Sequence, residues 1–152
     1  MTEQNMSRLI SEAVNSVLET MFFTAPFGPS EEDAGTSSIQ VRVAFRGCPS
    51  GKLEVCVSDR SARILAASFL GEDEEKLNDV QPSEVVCEMS NMLCGSLISR
   101  LESEQSFDLD SPQLILKENE IEKDSTIHMA GRQCFELDGG TLTVSLHLQA
   151  VS

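Results

Sequence analysis

The sequence is short of positive charge: Lys and Arg number 11 against 25 Asp and Glu, leaving a formal net charge of −14. A surface of that sign cannot neutralise phosphates, so nucleic acid is not an expected partner. Anionic membrane surfaces are set aside on the same ground. No apolar run approaches the roughly 18 residues of a spanning helix, and no basic-then-apolar leader opens the chain. The expected location is cytoplasmic.

Metal and redox chemistry are also poorly supplied. The two histidines, His128 and His147, stand alone without ligand spacing to each other. The five cysteines, Cys48, Cys56, Cys87, Cys94 and Cys134, form no Cys-x-x-Cys pair. Such an odd, scattered set reads as reduced thiols rather than as a disulfide framework, a zinc site or a Cys–His catalytic pair. There is no glycine-rich phosphate loop. An apolar content of 40% is modest, but it recurs in patterned stretches, and 152 residues suit a single domain over 1–152 with a real core.

What the chain does contain is clear periodicity. Met6 to Phe23 carries an apolar stripe at helical spacing, and Pro26, Gly28 and Pro29 end it. Ser30 to Ser38 reads as a polar loop. Ile39, Val41, Val43 and Phe45 alternate with polar neighbours, turn at Gly47–Gly51, and resume as Leu53, Val55 and Val57, a hairpin. Ser58 and Asp59 are expected to cap a shorter helix that Gly71 stops. Glu72 to Lys76 reads as a solvated connection. Phe107 to Leu116 is expected as a strand that Pro112 confines to an edge or a bulge. Lys117 to Asp124 is a charged turn, and Thr126–Leu137 and Thr141–Gln149 form a second hairpin about Asp138-Gly139-Gly140.

Between these blocks lies the stretch Ser83 to Glu102. Ser83 is a plausible N-cap, with Glu84 in the first turn. At about 3.6 residues per turn, Val85, Val86, Met89, Met92, Leu93 and Leu97 share one side, widened by Cys87, Cys94, Ile98 and Leu101. One polar strip is left: Glu84, Glu88, Asn91, Gly95, Ser99 and Glu102. Glu88 and Asn91 are neighbours on it, and Gly95 removes a side chain one turn further on. Taken alone, such a pair is usually a solvated face. Glu12 and Asn15 repeat the spacing half a chain length earlier, with Glu19 where Gly95 would correspond. The expected fold is thus a layered α/β (α+β) domain: an antiparallel-rich sheet packed with the long N-terminal and central helices, in pseudo-duplicated halves of about 1–76 and 77–152.

Glu88-Met-Ser-Asn91-Met-Leu-Cys-Gly95 resembles the signature of the CheC/CheX chemotaxis phosphatases, with a single motif closer to CheX. That family carries Glu-x-x-Asn on a helix, then an apolar pair and a Gly, and a Pro opens the next strand, where Pro112 fits. It usually has Asp or Ser four residues before the Glu; Glu84 stands there, with a longer arm. The resemblance implies an enzyme that hydrolyses the aspartyl phosphate of a phosphorylated CheY-type response regulator. Asn91 would orient the attacking water, since a carboxamide both donates and accepts without taking a proton. Glu88 would grip the receiver's lysine, Gly95 would allow close approach, and Glu84 would hold the helix start. It further implies no cofactor of the chain's own, magnesium on the receiver, and a homodimer through an exposed edge of the C-terminal strands. The alternatives are a non-catalytic receiver-binding module, favoured by Glu84, and a structural dimer whose polar strip has no role.

Overall fold

Alternation along the strands and apolar stripes along the helices decide which faces meet. The computed structural model describes residues 3–30, 37–47, 49–101, 107–115 and 127–149. In chain order these form α1 (Glu3–Met21), β1 (Gly28–Pro29), β2 (Ser38–Arg46), β3 (Gly51–Ser58) and α2 (Asp59–Leu70). A 3-10 turn (Glu74–Lys76), α3 (Gln81–Leu101), β4 (Asp108–Leu109), β5 (Gln113–Leu114), β6 (Ile127–Leu137) and β7 (Gly140–Gln149) follow. All seven strands join one antiparallel sheet in the order β1-β6-β7-β3-β2-β4, with β5 also on β2. No helix among the described residues is long and apolar enough to cross a membrane.

The centre of the sheet is the pairing of β3 with β7, where Val55 faces Val144 and the β2–β3 and β6–β7 hairpins abut. Val41, Val43, Phe45, Leu53, Val55, Val57, Leu142, Val144 and Leu146 point to one face and are at most 2% exposed. That face is the floor of the core. Helix α1 lies over β6, α3 over β2, and α2 over β3 and β7, so one helical layer covers it. The helices contribute Ile10, Val14, Leu18, Leu65, Ala66, Val86, Met89 and Leu93, all buried. The other face carries the alternate positions, among them Arg42, Lys52, Glu54, Thr143, Ser145 and His147. The result is a single mixed domain of antiparallel sheet and helices, as the periodicity predicts.

Several local readings change. Helix α1 stops at Met21 rather than Phe23, because the Thr24 amide donates back to the Leu18 carbonyl at 3.1 Å and Phe23 turns left-handed at φ 54°. The Gly28–Pro29 pair is a short edge strand on β6 and not only a helix stop. The Ser58 hydroxyl does not cap α2; it accepts from the Thr141 amide at 3.0 Å. Gly71 does end α2, in the left-handed conformation at φ 66°. The Glu72–Lys76 connection is more than solvated: Arg60 pairs with Glu74, and Arg63 donates to the Glu74 carbonyl at 2.7 Å. The strand expected over Phe107–Leu116 is two short contacts with β2, β4 and β5, with Pro112 in the gap between them. A proline lacks the amide that an unbroken ladder would need. Lys117–Asp124, most of the Ser30–Ser38 loop, Cys48 and Glu102 lie outside the described residues.

The start of β3 tests the central register. A Cβ on Gly51 would lie 2.1 Å from the His147 carbonyl oxygen, a backbone atom that no rotamer change can move. Gly51→Ala should therefore destabilise by about 1–3 kcal/mol, read as a lower urea midpoint at unchanged slope. An unchanged midpoint would mean that β3 and β7 are not registered there as described.

Candidate functional site

The long helix is set before its polar strip begins. The Asn78 side chain accepts from the amides of Val80 at 3.0 Å and Gln81 at 2.8 Å. In return the Gln81 side chain accepts from the Asn78 amide at 2.9 Å. This reciprocal pair is a capping box, and it, not Ser83, starts α3. The Ser83 hydroxyl instead donates to the Val80 carbonyl at 2.9 Å. Pro82 sits buried in the first turn, where a missing amide costs nothing. The Asn-x-x-Gln spacing was the sequence signal for this start.

From there the helix is divided by burial. Val85, Val86, Met89, Leu93, Cys94, Leu97 and Ile98 are at most 4% exposed. Ser90 is buried as well, its hydroxyl satisfied by the Val86 carbonyl at 2.7 Å. Glu84, Glu88, Asn91 and Ser99 are exposed and Gly95 is half-buried, so the strip expected from the periodicity faces outward. Among the described residues neither the Glu88 carboxylate nor the Asn91 carboxamide has a hydrogen-bond or ion-pair partner. A Cβ on Gly95 would meet nothing within 4 Å, so no packing inside the domain requires a glycine there. Pro112 is half-buried just ahead of β5, which lies against α3.

The echo on α1 is occupied. Glu12 and Asn15 are exposed, but the Glu12 carboxylate lies 3.9 Å from Arg8 Nε and 3.8 Å from Arg100 Nε. The second pair ties α1 to the last turn of α3. Both ion pairs are solvent-exposed and contribute little stability. They do give Glu12 cationic neighbours that Glu88 lacks among the described residues.

The chemistry available is that of a carboxylate and a carboxamide, without a thiolate. Burial, and after it the charges of Glu88 and Glu84, raises the Cys87 thiol above its ordinary range. Burial pushes Cys94 up to about 12. Both stay protonated near neutral pH and are poor nucleophiles. Among the described residues no group of three or more His, Cys, Asp or Glu could hold a metal ion. The clefts lined by Phe22 and Ile64, by Arg42 and Lys52, and by Phe27 and Gly139 include neither Glu88 nor Asn91. Small-molecule sites are concave. Polar groups on the crest of a helix instead suit a reactive group that a macromolecular partner brings.

Comparison with known proteins follows the same line. A family model described as chemotaxis phosphatase CheX matches residues 39–131, a span that includes all of α3. No curated protein sequence matches the chain. Among solved structures the chain is similar to the chemotaxis protein CheX from Desulfovibrio desulfuricans, at 20% identity and a TM-score of 0.72, over 95% of this chain and 99% of that one. CheX from Vibrio vulnificus is similar at 18% identity and a TM-score of 0.73, over 98% and 99%. A third likeness is to the CheX–CheY–BeF3–Mg2+ complex from Borrelia burgdorferi, at 21% identity and a TM-score of 0.69, over 93% and 96%. At these identities the structural likeness speaks for the fold.

The start of the helix yields a direct test. Asn78→Ala removes two accepted hydrogen bonds and should cost about 1 kcal/mol of stability in urea unfolding. Ser83→Ala should stay within about 0.5 kcal/mol of the parent. The reverse order would return the cap to Ser83.

Proposed function

The chain belongs to the chemotaxis phosphatase CheX family, and on that premise we propose that it hydrolyses the aspartyl phosphate of a CheY-type response regulator. The observation that carries this reading is the pair Glu88 and Asn91, neighbours on the outward strip of α3 and without side-chain partners among the described residues. The solved CheX–CheY complex is a relative with a partner of that class, which supports the same choice for this chain.

An aspartyl phosphate is an activated acyl phosphate, and the receiver's own magnesium would carry its phosphoryl charge. What remains is to place one water in line with the leaving carboxylate. The Asn91 carboxamide would accept from that water and hold its lone pair toward phosphorus. As the water oxygen bonds to phosphorus, the bond from phosphorus to the aspartyl oxygen breaks. The aspartate leaves as carboxylate, and the water's proton passes to the released phosphate or to solvent. No bond to this chain forms, so no nucleophile is required of it. Glu88 would take the receiver's lysine in a charge-assisted hydrogen bond that fixes register. The open space over Gly95 would admit the receiver's backbone or side chains. Glu84 lies one turn before Glu88, where a carboxylate suits the helix start.

Two further features complete the reading. Strand β1 is registered only to the Phe135–Glu136 end of β6, and that edge of the sheet suits pairing between two copies. The proposed form is therefore a homodimer. A single working site per chain is proposed, because Glu12 is engaged by Arg8 and Arg100. The second reading is a non-catalytic receiver-binding module, and the exposed Glu84 in place of the family's shorter Asp or Ser is what favours it.

Single-turnover dephosphorylation of the host's phosphorylated receivers separates the two. Asn91→Ala should slow the catalysed step about 10²-fold or more while receiver affinity stays near the parent's. Glu88→Ala should weaken docking by about 1.5–3 kcal/mol. Gly95→Ala should gain about 0.5–1 kcal/mol of folding stability, since nothing in the domain resists a methyl there, yet lose activity by obstructing the partner. Binding without acceleration by the parent chain would establish the docking module. Neither binding nor acceleration would remove both readings. A monomer in light scattering would remove the homodimer.

A further inference from the structure

Helix α1 is followed by a residue ill suited to its backbone. Phe23 is the one residue other than glycine with a positive φ, 54°, among the described residues. That conformation crowds any side chain, and helices that stop this way usually place glycine there. Phe23 gains little packing in return, since it is 80% exposed. Beside it opens a cleft of about 560 Å³ between the segment after α1, helix α2 and the β6–β7 turn. Phe22, Leu65 and Leu137 line it as buried residues, and Phe23, Thr24 and Asp138 line it as exposed ones.

We propose that the cleft and Phe23 together dock a segment of another protein that carries an aromatic or aliphatic side chain beside a lysine or arginine. The apolar floor suits the apolar side chain, and Phe23 packs against the same segment, as aromatic anchors do at interfaces. The polar lining selects the neighbouring charge. Ser61 and Ser68 already donate their hydroxyl protons to the Asp138 and Phe22 carbonyls, at 2.8 Å and 2.7 Å, so each has only lone pairs left to offer. Asp138 adds a carboxylate, which only accepts, and it is the one ionisable group among the described lining residues. Arg60 lies against the same turn at Gly139, but its guanidinium pairs with Glu74. The lining thus mostly accepts, and a partner must supply donors and positive charge. A second copy of a chain at −14 is poorly placed to do so. No residue of the cleft belongs to the Glu88 strip, so the proposal does not depend on the phosphatase reading.

Binding is read by NMR titration of the full chain, from the Ile64 methyl in the cleft, with the Ile39 methyl on β2 as control. The probe is the capped peptide Gly-Arg-Leu-Phe-Arg-Gly, set against versions with Glu for Arg or with Ala for Leu and Phe. Expected is a saturable shift of Ile64 but not of Ile39, with both altered peptides weaker by about tenfold or more. Phe23→Gly should weaken the peptide by about tenfold yet raise the urea midpoint of the protein, because glycine suits the left-handed turn. Asp138→Asn should weaken binding severalfold while keeping the backbone carbonyl that Ser61 uses. A lower midpoint for Phe23→Gly would show that the residue serves the fold and overturn its docking role. No saturable shift, equal affinity for the Glu peptide, or phenethylamine binding as tightly as the probe would overturn the docking site. So would an Ile64 shift that tracks the concentration of the chain alone, which would mark an interface between copies.

Discussion

The antiparallel pairing of β3 with β7 is the constraint on which the other placements rest. Each strand belongs to a hairpin that is local in sequence, but their own pairing joins residues far apart in the chain. Once Val55 faces Val144, the alternation of side chains leaves no choice about faces along β2, β3 and β7: every second residue goes to the core, whereas β6 is interrupted by a register shift between Met129 and Gly131. A slip by one residue would send Leu53, Val55 and Val57 outward and Lys52 and Glu54 into the apolar layer. Gly51, pressed against the His147 carbonyl, holds the register at one end of this pair. The helices then have one apolar floor to cover, and three cover it.

Helix α3 is positioned by that floor rather than by its polar residues. Its buried side is broad enough to pack on β2, on α1 and on α2 at once, which leaves only a narrow strip in contact with solvent. Because burial fixes the helix about its axis, Glu88 and Asn91 are presented in one direction without side-chain hydrogen bonds to other described residues. Rigidity of this kind is what a positioning function needs, since a helix held on three sides loses little freedom when a partner arrives. It also accounts for the thiols on the same helix. Cys94 is deep in the packed side and Cys87 sits at its margin near two carboxylates, so both are kept from reacting.

Periodicity made the helices, both hairpins and the outward strip readable from the residues alone, because each depends on which side of an element is apolar. Contacts made at a distance were not readable in the same way. Ser58 looks like a cap for α2 and serves β7 instead, since Thr141 arrives from the far end of the chain. Glu74 looks solvated until α2 brings Arg60 and Arg63 to it. The true start of α3 was legible in Asn78 and Gln81, but Pro82 and Ser83 offered a competing start. The cleft beside Phe23 is assembled from three places far apart in the chain, and no local pattern announces it.

The two helices that carry Glu-x-x-Asn make the most instructive contrast. On α1 as on α3 the pair faces outward, so exposure alone does not distinguish them. What differs is the company each keeps. Glu12 lies between Arg8 on its own helix and Arg100 on α3, and the bulky Glu19 stands one turn beyond Asn15. Among the described residues Glu88 has no cation partner, and a side chain on Gly95, one turn beyond Asn91, would meet nothing. A carboxylate already matched by two guanidinium groups gains little from a third cation, whereas an unmatched one gains the whole of the new interaction. The same two residue types at the same spacing are thus spent on internal contacts in one helix and left available in the other.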